Sequence, residues 1–194
     1  LMNTISKDVI FTQEINKSTF ISYLKKVDNV DSAKKYIQEI KNLHPNATHH
    51  VTSYIIGKTG ENGHCSDDGE PSGTAGAPIL DVFKKNDITN FVIIVVRYFG
   101  GIKLGAGGLI RAYSSSASKA LKEAGVSPII EYVTLNLTFA YSYLKTIENK
   151  LKDYEILNKN FNTLVSLEVK VPKEQIDDLK NSLIFITSNQ IEIK

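Results

Sequence analysis

Between Arg97 and Arg111 the chain reads Arg-Tyr-Phe-Gly-Gly-Ile-Lys-Leu-Gly-Ala-Gly-Gly-Leu-Ile-Arg, with five glycines in nine positions and an arginine at either end. This composition suits an anion. Glycine lets the main chain adopt positive φ and lets a phosphate or carboxylate approach the backbone closely. A helix that starts inside such a stretch leaves its first N–H groups unbonded and aimed at the ligand. Gly100, Gly101, Gly105, Gly107 and Gly108 are therefore candidate backbone donors, and Lys103 within the loop adds charge. Of 23 basic residues, 21 are lysine and two are arginine, Arg97 and Arg111. Where lysine is the default, arginine points to bidentate binding of phosphate or carboxylate. The competing reading treats the glycines as close-packing positions and pairs the arginines with the acidic segment upstream. Neither the Walker pattern nor the dinucleotide fingerprint occurs.

That upstream segment, His64-Cys-Ser-Asp-Asp-Gly-Glu-Pro-Ser-Gly-Thr-Ala-Gly-Ala-Pro78, gathers Asp67, Asp68 and Glu70 with three hydroxyl side chains. Such a group could bind a divalent cation or act as acid and base. Asp-Gly and Glu-Pro-Ser-Gly are also strong turn formers, and a carboxylate facing Arg97 makes a structural ion pair. The structural reading is favoured for both metal and catalysis, so no cofactor and no metal are expected. His49 and His50 are adjacent on an expected strand and point to opposite faces, which disfavours a shared metal. With His64 and Cys65 they fit no standard zinc spacing. His49, His50, Asp67, Asp68, Glu70 and Tyr98 are carried as possible supporting residues.

The elements that must position these groups follow from periodicity. Residues 5–14 and 18–27 read as strands around a turn at Asn16-Lys17, and a helix capped by Asp31 or Ser32 runs to His44-Pro45. Residues 51–57 form a strand, 91–99 a central buried strand, and 108–124 a helix closed by Gly125 and Pro128. All twelve glycines lie between Gly57 and Gly125. From Tyr132 onward the pattern changes to strand 133–140, helix 141–154, strands 155–161 and 164–171, a helix from Pro172, and strand 190–194. That β-α-β-β-α-β order is the split βαβ, ferredoxin-like arrangement. The expected class is α+β in two domains, 1–131 and 132–194.

At 194 residues and 42% apolar composition, two small cores are affordable. A formal charge of +2 does not by itself identify a nucleic-acid binder, so anion binding must rest on local charge. The lone Cys65 excludes an internal disulfide framework, no apolar run is long enough for a membrane span, and the first residues lack the apolar core of a signal peptide. A cytoplasmic protein without a membrane partner is expected.

The stretch Ser66-Asp-Asp-Gly-Glu-Pro-Ser-Gly-Thr-Ala-Gly76, followed by Val95-Val-Arg-Tyr-Phe-Gly-Gly-Ile-Lys-Leu-Gly-Ala-Gly-Gly-Leu-Ile-Arg-Ala-Tyr113, closely resembles the signature of the YigZ/IMPACT family. Glu14-Ile-Asn-Lys-Ser18 and His44-Pro-Asn-Ala-Thr-His-His50 support the resemblance, which spans nearly the whole chain. It implies an N-terminal domain of the ribosomal-protein S5 domain 2-like kind, shared with domain IV of elongation factor G. It also implies a ferredoxin-like C-terminal domain similar to that factor's domain V. Eukaryotic members restrain a starvation-activated translation kinase by competing for its activator, using an RWD domain that this sequence does not contain. Two departures lower the local positive charge: Thr19 and Ala77 stand where the family pattern often has a basic residue and a lysine.

The leading expectation is a non-enzymatic protein that binds RNA phosphate, on the ribosome or a translation factor, through Arg97, Lys103, Arg111 and the backbone of Gly105–Gly108. Tyr98, Phe99 and Tyr113 are candidates for stacking on bases if exposed. The rival is an enzyme acting on a phosphorylated small molecule or peptide through the acidic and glycine-rich motifs. The C-terminal domain, with eight basic and eight acidic residues from 132 to 194, suits a protein partner better than RNA.

Overall fold

The computed structural model describes residues 2–194, which divide into two compact units, 2–129 and 130–194. In the first, strands β1 (Asn3–Ile5), β2 (Val9–Ile15) and β3 (Ser18–Lys26) lead to helix α1 (Val30–Leu43). Strands β4 (His49–Ile56) and β5 (Asn62–Ser66), helix α2 (Gly76–Lys85), strand β6 (Phe91–Tyr98), helix α3 (Gly105–Ala124) and strand β7 (Val126–Pro128) follow. Five strands form an antiparallel sheet in the order β2-β3-β6-β4-β5, and β1 pairs with β7 in a separate ribbon.

β6 lies at the centre because its run Phe-Val-Ile-Ile-Val-Val is apolar on both faces. Phe91, Ile93 and Val95 join the core beneath α2 and α3, while Val92, Ile94 and Val96 join the core beneath α1. Helices therefore cover both faces of the sheet. The β2–β3 hairpin turns at Asn16 and Lys17, with φ of 47° and 65°, the paired positive values of a type I′ turn. α1 is capped two to three residues earlier than the sequence suggests. Asn29, not Asp31 or Ser32, accepts the Ser32 N–H at 2.8 Å through its side chain.

β5 and α2 were not expected, since their residues read as loop and turn. β5 is short, exposed and rich in small polar residues. α2 opens on Gly-Ala-Pro, which looks like a turn but is tolerated in a first turn where N–H groups lack intrahelical partners. α3 starts at Gly105 rather than Gly108, so three glycines lie inside its opening turn.

The second unit contains β8 (Tyr132–Phe139), a 3₁₀ turn leading into α4 (Leu144–Lys150), β9 (Glu155–Phe161), β10 (Val165–Pro172), a 3₁₀ turn leading into α5 (Ile176–Ile186), and β11 (Ile191–Ile193). Its sheet is antiparallel in the order β11-β8-β10-β9, two interleaved β-α-β units. α4 ends at Lys150, not near Tyr154, and a turn carries the chain to β9. Leu135, Leu137 and Phe139 stand directly opposite Val169, Leu167 and Val165 and form the core beneath the two helices. Thr134, Asn136 and Thr138 occupy the intervening β8 positions, opposite Lys170, Glu168 and Ser166. No helix of the described residues is long and apolar enough to cross a membrane.

Gly100 has a steric task. A Cβ there would lie 1.9 Å from the Lys17 carbonyl oxygen, backbone that cannot yield. Gly100→Ala is expected to lower stability in urea unfolding by about 1–3 kcal/mol or more. Gly63→Ala, with nothing within 4 Å of the added carbon, serves as the matched control and shifts stability by under about 0.5 kcal/mol.

Candidate anion-binding site

One end of the first unit collects every sequence-predicted site residue. The C-terminal end of β6 pairs with the N-terminal ends of β3 and β4 (Thr19↔Tyr98, His49↔Arg97), and β5 runs back beside β4 toward the same end. The segment 67–75, the β2–β3 turn, the loop 99–104 and the N-termini of α2 and α3 thus surround the ends of the strands.

Beneath them is a buried polar cluster. The Glu70 carboxylate accepts hydrogen bonds from Arg97 Nη1 and from the Tyr113 hydroxyl, both at 2.6 Å on Oε1. The Arg97 and Glu70 side chains are only 5% and 3% exposed. Arg97 Nη2 also donates to Ser18 Oγ at 3.3 Å, and the guanidinium carbon lies 5.5 Å from the ring centres of Phe20 and Phe99. Arg97 is therefore committed inside the protein, which corrects the expectation that it holds phosphate directly. Burial and the Glu70 hydrogen bond push the Tyr113 hydroxyl far above the usual phenol range, so it stays a donor.

Asp67 fills the N-terminus of α2. Its carboxylate accepts N–H groups of Gly73 (2.9 Å), Ala75 (3.2 Å) and Gly76 (2.8 Å), forming an internal anion site. Burial tends to raise its pKa, but the hydrogen bonds from Gly73, Gly76 and Ala75 outweigh that and hold it below the ordinary value. Asp68 accepts the His50 N–H at 2.7 Å, and its carbonyl accepts His49 Nδ1–H at 2.7 Å. His50 Nε2–H donates to the His44 carbonyl at 2.7 Å, and His49 Nε2 lies 3.6 Å from Glu70 Oε2. Both histidines engage Asp68, His49 through its carbonyl and His50 through its carboxylate, and so tie the acidic segment to the sheet. Among the described residues, no three His, Cys, Asp or Glu side chains converge as metal ligands.

α3 begins differently. Its N-cap is Leu104, with no side-chain hydrogen bond, and the opening turn is exposed apart from the half-buried Gly108. Gly105 has φ of 71°, which a glycine adopts without strain. A Cβ on Gly107 would lie 3.3 Å from Arg111 Nη1, so the guanidinium folds back one turn over the helix start, the direction helical side chains favour. Arg111 and Lys103 are both exposed. The fold thus brings Arg111 to the bare backbone of Gly105–Gly108, adds Lys103, and withdraws Arg97 beneath them. Gly100 is a packing position, and Gly101 takes φ of 90° with open space around it.

Comparison with known proteins bears on this arrangement. The Impact N-terminal domain family matches residues 16–121. The IMPACT family member YvyE of Bacillus subtilis is 40% identical over 182 residues, 93% of this chain and 84% of that protein. The chain belongs to the IMPACT family. YigZ of Escherichia coli, another member, is 33% identical over 192 residues, 95% of this chain and 93% of its own. A crystal structure of a hypothetical protein superposes with a TM-score of 0.65 at 30% identity, covering 99% of this chain and 95% of that one. Within this IMPACT-family chain, the matched segment runs from the β2–β3 turn into α3 and encloses the whole site. Ser18, Thr48 and the Tyr113 hydroxyl were not singled out from sequence as parts of it. Serine and threonine at strand starts carry no distinguishing pattern, and Tyr113 stands out in the sequence for its ring, as a candidate for stacking on bases, rather than for its hydroxyl.

Tyr98, a supporting candidate, gives its hydroxyl to a different network: His44 Nδ1 lies 2.7 Å from Tyr98 Oη, and His44 Nε2 lies 2.6 Å from Tyr23 Oη. Burial, with His50 nearby, lowers the His44 pKa below 6.5. The unfolded chain therefore takes up this proton first as pH falls, and the stability held by neutral His44 is lost below about 6.5. Urea midpoints of the intact protein are expected to fall as pH drops from 7 toward 5, and His44→Gln should flatten that decline. At constant pH, Glu70→Ala should cost about 3–5 kcal/mol by stranding buried Arg97, and Tyr113→Phe about 1.5–3 kcal/mol. A double-mutant cycle between Glu70 and Tyr113 should show coupling well above that of distant pairs.

Proposed function

We propose that this IMPACT-family protein binds a phosphate-bearing macromolecule, RNA above all, at the start of α3, and acts in translation or its regulation without catalysing a reaction. The observation that carries this reading is the Arg111 guanidinium folded over Gly107 at the uncapped N-terminus of a 20-residue helix. Backbone N–H groups, the positive end of the helix dipole and a planar cation converge where a phosphate can sit. Lys103 supplements them.

The non-catalytic part rests on how the acidic groups are used. Asp67 serves α2, Asp68 the histidine segment, and Glu70 the buried arginine, so each carboxylate has a structural partner. The first unit, as we read it, is S5 domain 2-like and the second ferredoxin-like, similar to domains IV and V of elongation factor G. The second unit's antiparallel order β11-β8-β10-β9 supports that reading, and family membership supports the link to translation. Cytoplasmic location belongs to the same proposal. The second unit, balanced in charge, is proposed as a protein-contact module.

Sedimentation with ribosomes and with free RNA across a salt series tests the reading. Wild-type protein is expected to cosediment in a salt-sensitive manner. Arg111→Ala should weaken binding and reduce the slope of log affinity against log salt by about 0.7–0.9 for the lost phosphate contact. Absence of cosedimentation at low salt, or an Arg111→Ala protein indistinguishable from wild type, would overturn it.

A further inference from the structure

We infer that the RNA is single-stranded, with one base stacked on Phe99; this rests on the phosphate-binding reading above. Of the three aromatic residues nearest the glycine loop, the fold leaves one free for a ligand. Tyr113 is fully buried and its hydroxyl is held by Glu70. Tyr98 packs with the α1-side core and is engaged by His44. Phe99 is 47% exposed.

A half-exposed phenylalanine is ordinary in isolation. This one is held in place. Its N–H donates to Thr48 Oγ1 at 2.9 Å, and the next residue, Gly100, donates to Ser18 Oγ and is wedged against the Lys17 backbone. The ring centre stands 5.5 Å from the guanidinium carbon of Arg97, which Glu70 fixes. Little conformational freedom remains to be lost on binding. Exposed Ile102 and Lys103 follow in the same loop, Arg111 lies on the helix it leads into, and exposed Lys17 is in the adjoining hairpin turn.

A ring interleaved with cations matches a strand whose bases and phosphates alternate. In a duplex the base faces are covered by their neighbours, so a lone protruding ring has nothing to stack on; an unpaired base offers its full face. On the open sheet face of the second unit the one comparable ring, Tyr132, is already covered: Lys170 Nζ stands 4.6 Å from its centre and is paired with the Glu155 carboxylate, while Asn136, Thr138, Asn158, Asn160 and Ser166 are small and polar. The base contact is therefore assigned to the first unit.

Fluorescence anisotropy with three probes tests this: a short unstructured RNA, the same RNA annealed to its complement, and a polyphosphate chain that has charge but no bases. Wild-type protein is expected to prefer the single strand to the duplex. Phe99→Leu, which keeps apolar bulk over Arg97 but removes the ring, should weaken single-strand binding about 5- to 150-fold and leave polyphosphate binding unchanged. Phe99→Tyr should restore it. Equal or better binding of duplex, an unaffected Phe99→Leu protein, or loss of polyphosphate binding in Phe99→Leu would each overturn the stacking assignment. If Arg111→Ala still loses polyphosphate in those cases, the phosphate site itself stands. An Arg111→Ala protein that retains both ligands removes that site and the stacking inference with it.

Discussion

The end of the first unit is organised around one carboxylate. Glu70 reaches from a loop into the core and accepts hydrogen bonds from the central strand, through Arg97, and from the longest helix, through Tyr113. A buried charge of either sign alone would be unstable, and the pair is tolerable because the carboxylate is shared between two donors and the guanidinium is also bonded to Ser18. Geometry follows from that requirement. Tyr113 lies two turns into α3, so its hydrogen bond sets the axial position and rotation of the helix against the sheet. The exposed first turn and Arg111 are placed as a consequence.

The two helix starts at this end solve the same electrostatic problem in opposite ways. At α2, Asp67 supplies an anion from within the chain and satisfies three N–H groups. At α3, Leu104 precedes the helix and no side chain caps it. An N-cap side chain contributes about 0.5–2 kcal/mol where the cap residue is extended, but Leu104 lies in the αR region and packs against the core while Gly105 turns at positive φ, so this start is built without a side-chain cap. Leaving the start bare while guiding a guanidinium to it is consistent with a site that an external anion completes.

Much of this was legible in the residues. β6 declares itself by a two-faced apolar run, α3 by periodicity, and the second unit by the order of its elements. What was missed failed for identifiable reasons. α2 begins with Gly-Ala-Pro after a turn-rich segment, and local composition outweighed the apolar positions Ile79, Leu80 and Phe83 that bury it. β5 has little strand propensity and exists because β4 offers it a partner edge. The α1 cap was misplaced by two to three residues because Asn29, Asp31 and Ser32 all have capping side chains and backbone conformation decides among them. For the site, residue type revealed that the two arginines were special but not that their tasks differ. That distinction depends on sheet register, which sets Arg97 beside Ser18's hairpin and over Glu70, and no local pattern encodes it.

The difference in task explains why both are arginines in a lysine-rich chain. Inside, the planar group uses its two terminal nitrogens, one to Glu70 and the other to Ser18, with the rings of Phe20 and Phe99 near its carbon, while Nε is left without a hydrogen-bond partner among the described residues. A lysine ammonium is a strongly hydrated point charge; it could meet the carboxylate but would neither fill the space between two rings nor tolerate the loss of water as well. Outside, Arg111 lies back along its own helix, where a flat fork with several donors can share a phosphate with backbone N–H groups. One guanidinium builds the frame and the other is left at its edge. The glycines between them are what allow strand end, loop and helix start to lie close enough for the division to work: Gly100 fits against the Lys17 backbone, and Gly105 turns the chain into the helix at positive φ.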